Sequence, residues 1–159
     1  MSTLSASPPP TLAKEMSLAA LRRVSHSGWV FYTADDIGLD PTKCGKWMYF
    51  FASRSFVARV CERAVATGVV VEAKHSDASR GVACFYLNND DLGAHRRVIA
   101  FFLENGLIQR TRTGRLYDIS FKLDTQTTSG EYGADFHSDI RLSNFVDLTT
   151  GEWIISQPG

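Results

Sequence analysis

Between Phe102 and Asp124 the chain reads FLENGLIQRTRTGRLYDISFKLD, a stretch that concentrates Arg110, Arg112, Arg115 and Lys122. A guanidinium is a planar fork of donors that suits phosphate or carboxylate, and an ammonium is a compact point charge for the same anions. If the segment is extended, Arg110 and Arg112 share one side, with Thr111 and Thr113 adding hydroxyls. Gly114 then turns the chain and can bring Arg115 back toward them. The competing reading of TRTG is an ordinary solvated turn.

A second group lies in AKHSD, where Lys74 and His75 stand side by side. A lysine base and a histidine acid suit an elimination or a phosphate transfer. A regular strand sends neighbours to opposite faces, so the pair can act together only if the strand stops at Lys74. A third group is GKWM: Lys46 offers charge and Trp47 a planar surface on which a base or similar ring can stack. For Trp47 to do so, Lys46, Met48 and Phe50 must form the inward row of KWMYFF. Finally, Asp118, Ser120, Lys122 and Asp124 alternate with Tyr117, Ile119, Phe121 and Leu123. The polar row can share a face with Glu72 and Lys74, either as an anion site or as a solvated surface laced with weak ion pairs.

Other chemistries find little support. His26, His75, His95 and His137 are scattered, no HExxH-like spacing occurs, and no metal site is expected. His95 falls near the buried side of a helix, where packing is the simpler role. No dinucleotide fingerprint, phosphate loop or nucleophile elbow is present, so no cofactor is called for. Cys44, Cys61 and Cys84 make no paired motif and read as small apolar side chains, which favours a reducing, cytoplasmic setting. There is no apolar run of about 18 residues, and no membrane association is expected.

Seventeen basic residues balance seventeen acidic ones over 159 residues. That balance argues against a dedicated nucleic-acid binder with a dominant basic face, though not against a local patch. The charges are uneven: Arg96 to Lys122 is mainly basic, whereas the chain from Leu123 onward carries Arg141 as its one basic residue.

The elements that must position these groups follow from period and punctuation. Ser/Pro-rich residues 1–15 read as a disordered leader, and 16–159 as a single α+β domain. SLAALRRV suggests one or two helical turns; GWVFYTA and KWMYFF suggest strands. Residues 54–67 place Val57, Val60, Cys61, Ala64 and Val65 at helical spacing, with Ser53 as cap and Gly68 as terminator. VVVEAKH and VACFYL are strands, and a second helix spans about 92–105 before Gly106. LIQR, YDISFKLD, DIRLSNFVDL and EWIIS supply further short strands, and TTSGEYGADF is loop-like. Two helices for some six strands cannot cover both sides of a doubly wound sheet. The expected fold is therefore a curved mixed or mainly antiparallel sheet with two main helices packed on one face.

GKWMYFF, FVARVCERAVATGVVVEAKHS and GVACFYLNNDDLGAHRRVIAFFLENGL together resemble the family of phosphothreonine-lyase-domain proteins, over residues 45–124. That family's fold is similar to the messenger-RNA cap-binding translation initiation factor. The resemblance implies a concave sheet face for a phosphorylated or nucleotide-like ligand, with Lys46, Trp47 and Lys74 as the positions that carry over. The TTSGEYGADF loop and the acidic last third depart from the pattern.

The resulting expectation is a domain that binds or processes a phosphate-bearing ligand on an open sheet face. Lys74 and His75 are the catalytic candidates; Lys46, Trp47, Arg110, Arg112, Arg115, Lys122 and Asp124 are the binding ones. Partners would be a phosphorylated small molecule or a phosphopeptide. The alternative is a non-catalytic interaction protein or homo-oligomer whose open face another chain covers.

Overall fold

The computed structural model describes residues 21–35, 38–125 and 140–154. Six strands form a sheet: β1 (Arg22–His26), β2 (Trp29–Thr33), β3 (Cys44–Phe51), β4 (Glu72–Ser76), β5 (Gly81–Asn88) and β6 (Lys122–Leu123). Their spatial order is β1-β2-β4-β5-β3-β6, and every neighbouring pair is antiparallel. Helices α1 (Arg54–Ala66) and α2 (Leu92–Glu104) complete an α+β arrangement.

Local signals explain both helices. The Ser53 hydroxyl accepts from the Phe56 amide and the Asp91 carboxylate from the Ala94 amide, so each first turn is capped. Gly68 and Gly106, both at positive φ, follow the C-terminal ends. The apolar stripes Val57, Val60, Cys61, Ala64 and Val65 of α1, and Val98, Ile99, Phe101 and Phe102 of α2, are buried.

Against them the sheet presents Val30, Tyr32, Ala73, His75, Ala83, Phe85, Leu87, Trp47 and Phe51, all buried. Residues directly opposite in an antiparallel pair share a face. Tyr32, Ala73, Phe85 and Trp47 thus form one transverse row, and Val30, His75, Ala83 and Tyr49 the next. Phe85 meets Phe102 edge to face at 5.2 Å, fastening α2 to the middle of the sheet.

Several expectations are corrected. Arg22–His26 is a strand, which overturns the end of the SLAALRRV helical turn, whose residues 17–20 lie outside the described chain: Ser27 and Gly28 both take positive φ and close a two-residue hairpin onto β2. All five β1 residues are exposed, so no apolar alternation announced the strand. The inward row of β3 is Trp47, Tyr49 and Phe51, which leaves Lys46, Met48 and Phe50 on the opposite face. Residues 117–124 contribute only Lys122–Leu123 as a strand. Before it the backbone turns to the chain around residues 140–142, through Phe121 N to Ile140 O and the Ser120–Arg141 bridge. DIRLSNFVDL contains a 3₁₀ turn at Leu142–Asn144, and EWIIS contributes one bridge, Val146–Trp153. The 1–15 leader and the TTSGEYGADF loop lie outside the described residues.

Gly45 lets β6 join the sheet. A Cβ there would stand 2.5 Å from the Phe121 ring and 2.6 Å from the Lys122 carbonyl oxygen. Gly45→Ala is expected to destabilise the fold by about 1–3 kcal/mol, the usual range for overpacking. Urea unfolding checks this, and an unchanged midpoint would contradict the close approach.

Candidate functional site

The face of the sheet away from α1 and α2 carries the charged candidates. Register places Thr33, Glu72, Tyr86, Lys46 and Lys122 in one transverse row across β2, β4, β5, β3 and β6. The next row is Val24, Phe31, Lys74, Cys84 and Met48, followed by His26, Trp29 and Ser76.

Lys74 is held by rings. Its Nζ lies 3.9 Å from the Trp29 ring centre, 5.6 Å from Phe31 and 5.9 Å from Tyr86. Among the described residues it forms no salt bridge. Such cation–π contacts give about 0.5–2 kcal/mol, comparable with a surface ion pair. Unlike a carboxylate, they do not cancel the charge.

Lys46 is nearly buried and bonds Asp124 at 2.8 Å. Its Nζ is also 6.0 Å from the Tyr86 ring. The Lys46 and Lys74 ammonium groups, at 6.0 and 5.9 Å from that one ring centre, therefore lie within about 12 Å of each other. Lys122 stands directly opposite Lys46. Burial, and then the Lys46 charge, hold the Lys122 ammonium below the usual lysine range. Burial pushes the Glu72 carboxyl up; Lys74 opposes that shift and Asp124 adds to it. The structure thus brings together Lys46, Lys122 and Asp124, with Lys74 across the Tyr86 ring.

Trp47 and His75 belong to the other face. Trp47 has no exposed surface, and its Nε1 donates to His95 Nδ1 at 3.0 Å. It is core, not a stacking surface. β4 continues through Ser76, so alternation turns His75 beneath the helices. A Lys74 base and a His75 acid acting on one ligand is corrected on that ground: the sheet lies between them.

The Trp47 N–H fixes His95 as neutral, and burial favours the neutral form of His75. His75 Nδ1 donates to the Ser76 carbonyl at 2.8 Å and Nε2 accepts from the Tyr32 hydroxyl at 3.1 Å. His95 Nδ1 accepts from Trp47, so Nε2 donates to the Asn89 carbonyl at 2.9 Å. Burial lowers the pKa of each, against the opposing effect of those carbonyls.

The arginines sit on a separate turn. Arg110 bridges to Leu116, and its guanidinium donates back to the Gly114 carbonyl at 2.7 Å. Arg112 and Arg115 are exposed on that turn and form no ion pair among the described residues. Asp118 is engaged elsewhere. Although burial raises its pKa, bonds from Ser143 and Arg141 bring it below the ordinary value.

The cysteines are not nucleophiles in waiting. Burial pushes Cys44 up to about 12, with Asp124 adding to the shift, and raises Cys61 and Cys84 as well. Among the described residues no three His, Cys, Asp or Glu side chains gather as metal ligands, and no helix is long and apolar enough to cross a membrane. Sequence reading missed Trp29, Phe31 and Tyr86 as partners of Lys74. Strand alternation in GWVFYT offered the signal, but which parity faces outward depends on where the helices pack.

No family model and no curated protein matches the chain. Among solved structures it is similar to the type III effector/phosphothreonine lyase OspF from Shigella flexneri. The two share 9% identity and a TM-score of 0.43, covering 79% of this chain and 80% of that one. A likeness at that level is distant and carries no functional argument.

The buried imidazoles set a pH dependence. Their folded pKa values lie below the unfolded value near 6.5, so below that pH the unfolded chain binds more protons. Stability is therefore expected to fall as pH drops from 7 to 5.5, by up to about 1.4 kcal/mol per pH unit per histidine. The urea midpoint measures it; a midpoint that holds or rises on acidification contradicts neutral burial.

Proposed function

We propose that the open sheet face binds a phosphate-bearing ligand with a planar part, such as a nucleotide, and does so as a receptor and not as an enzyme. The observation that carries this reading is the Lys74 ammonium, which rests on the Trp29, Phe31 and Tyr86 rings and forms no salt bridge among the described residues. Phosphate oxygens take charge-assisted hydrogen bonds from lysines, each worth about 1.5–3 kcal/mol. Trp29 and Phe31, both partly exposed, add apolar surface for a planar group.

The receptor reading follows from which groups share the face. The histidine acid that would pair with a Lys74 base, His75, lies beneath the sheet. Glu72 is the carboxyl nearest Lys74 in sequence on this face, and it sits in the row of Tyr86 and Lys46.

Thermal-shift and calorimetric titration with nucleoside mono-, di- and triphosphates and with phosphothreonine peptides tests this on wild type and Lys74→Ala. Binding is expected for wild type and a weakening of about tenfold or more for Lys74→Ala, the loss of one charge-assisted contact. The exchange lies on a half-exposed surface and leaves the fold intact. Absence of binding by every compound, or equal binding by the variant, overturns the proposal.

A further inference from the structure

The Arg110–Arg115 turn has no part in the lysine face, yet it stands beside a second surface. β3 has eight residues, whereas β6 has two and pairs only with Gly45 and Lys46. Among the described residues no strand therefore pairs with the outer edge of β3 from Trp47 to Phe51. The chain preceding β6 directs its hydrogen bonds elsewhere: Ile119 N to Tyr117 O, Phe121 N to Ile140 O, and Leu142 N to Ile119 O.

At that edge a cleft of about 210 Å³ opens between β3 and the returning chain, walled by Met48, Tyr49, Leu107, Gln109, Tyr117 and Ile119. Phe50 at 66% exposure and Tyr117 at 47% are among the most exposed large apolar residues of the described chain. An open strand edge offers unpaired N–H and C=O groups in register, and an apolar cleft beside it offers a seat for one side chain.

The walls lead straight to the arginines. Tyr117 N donates to Gln109 O at 3.0 Å, the Arg110–Leu116 bridge follows, and Thr111 N donates to Arg115 O at 2.7 Å. Arg112 is three residues beyond the cleft-lining Gln109, roughly 10 Å of extended chain. Arg112 and Arg115 are exposed there without ion-pair partners among the described residues.

We infer that the β3 edge and its cleft take up an extended peptide of another protein, in which an apolar anchor is followed about three residues on by acidic side chains. Main-chain pairing to β3 supplies affinity, the cleft selects the anchor, and the Arg112–Arg115 turn selects the negative end. This surface borders the lysine face at Met48 but uses the strand edge and the arginine turn, not the lysines.

A randomised decapeptide array probed with the fluorescein-labelled full chain tests the inference. Bound peptides are expected to alternate apolar and polar residues and to carry Asp or Glu toward one end. The double exchange Arg112→Glu, Arg115→Glu on the exposed turn is expected to weaken their binding tenfold or more. In a selected peptide, N-methylation of one alternate set of amides should abolish binding and that of the other set should not, while β3 amides gain protection from hydrogen exchange. The inference fails if no such peptides are enriched, if both N-methylated forms bind, or if the arginine exchanges leave binding unchanged. It also fails if light scattering shows a dimer that Phe50→Asp dissociates, since a second copy is then the occupant.

Discussion

A sheet covered by helices on one side assigns every strand residue by parity: odd positions to the core and even ones to the open face, or the reverse. In β3 and β4 that assignment splits the neighbours most tempting to a chemist. Lys46 and Lys74 face outward, while Trp47 and His75 face inward and are buried. The decision is made by volume. Trp47, Phe51, Phe85 and Tyr32 fill the space under α1 and α2, and a one-residue slip would bury lysines instead.

Two lysines on the open face are stabilised by different means. Lys46, almost enclosed, is held by Asp124, because a nearly buried ammonium without a counter-charge carries a desolvation cost that ring contacts cannot offset. Lys74 is more exposed and rests on Trp29, Phe31 and Tyr86. The rings fix its position and leave its charge outward. The difference distinguishes a structural ion pair from a group available to an anion, and Tyr86 touches both.

The Asp118 clamp shapes the far edge of the sheet. By accepting from the Ser143 amide and hydroxyl and from Arg141, Asp118 draws residues 117–121 toward 140–143 and away from β3. Only Lys122 and Leu123 then pair with β3, and Gly45 is the residue that lets them approach. A polar network of three residues thus turns what alternation alone marks as a long strand into a short one, and leaves the edge and its cleft open.

The sequence by itself determined both helices, including the Ser53 cap and the glycines after each C-terminus, because capping and a 3.6-residue period are local effects. It determined that two helices pack on one side of the sheet, and that Lys46, Lys74 and Lys122 are strand residues. Only the tertiary structure decided the rest. The parity of KWMYFF depended on which row the helices covered, a long-range packing choice that either alternation permits. The hairpin of β1 rested on a positive-φ pair and an exposed strand without pattern. The extent of β6 was set by Asp118 meeting Ser143 and Arg141 across more than twenty residues, a contact with no signal in the spacing of YDISFKLD. Period reports which residues share a side; which side is covered, and by what, is fixed by volume and hydrogen bonding between segments far apart in the chain.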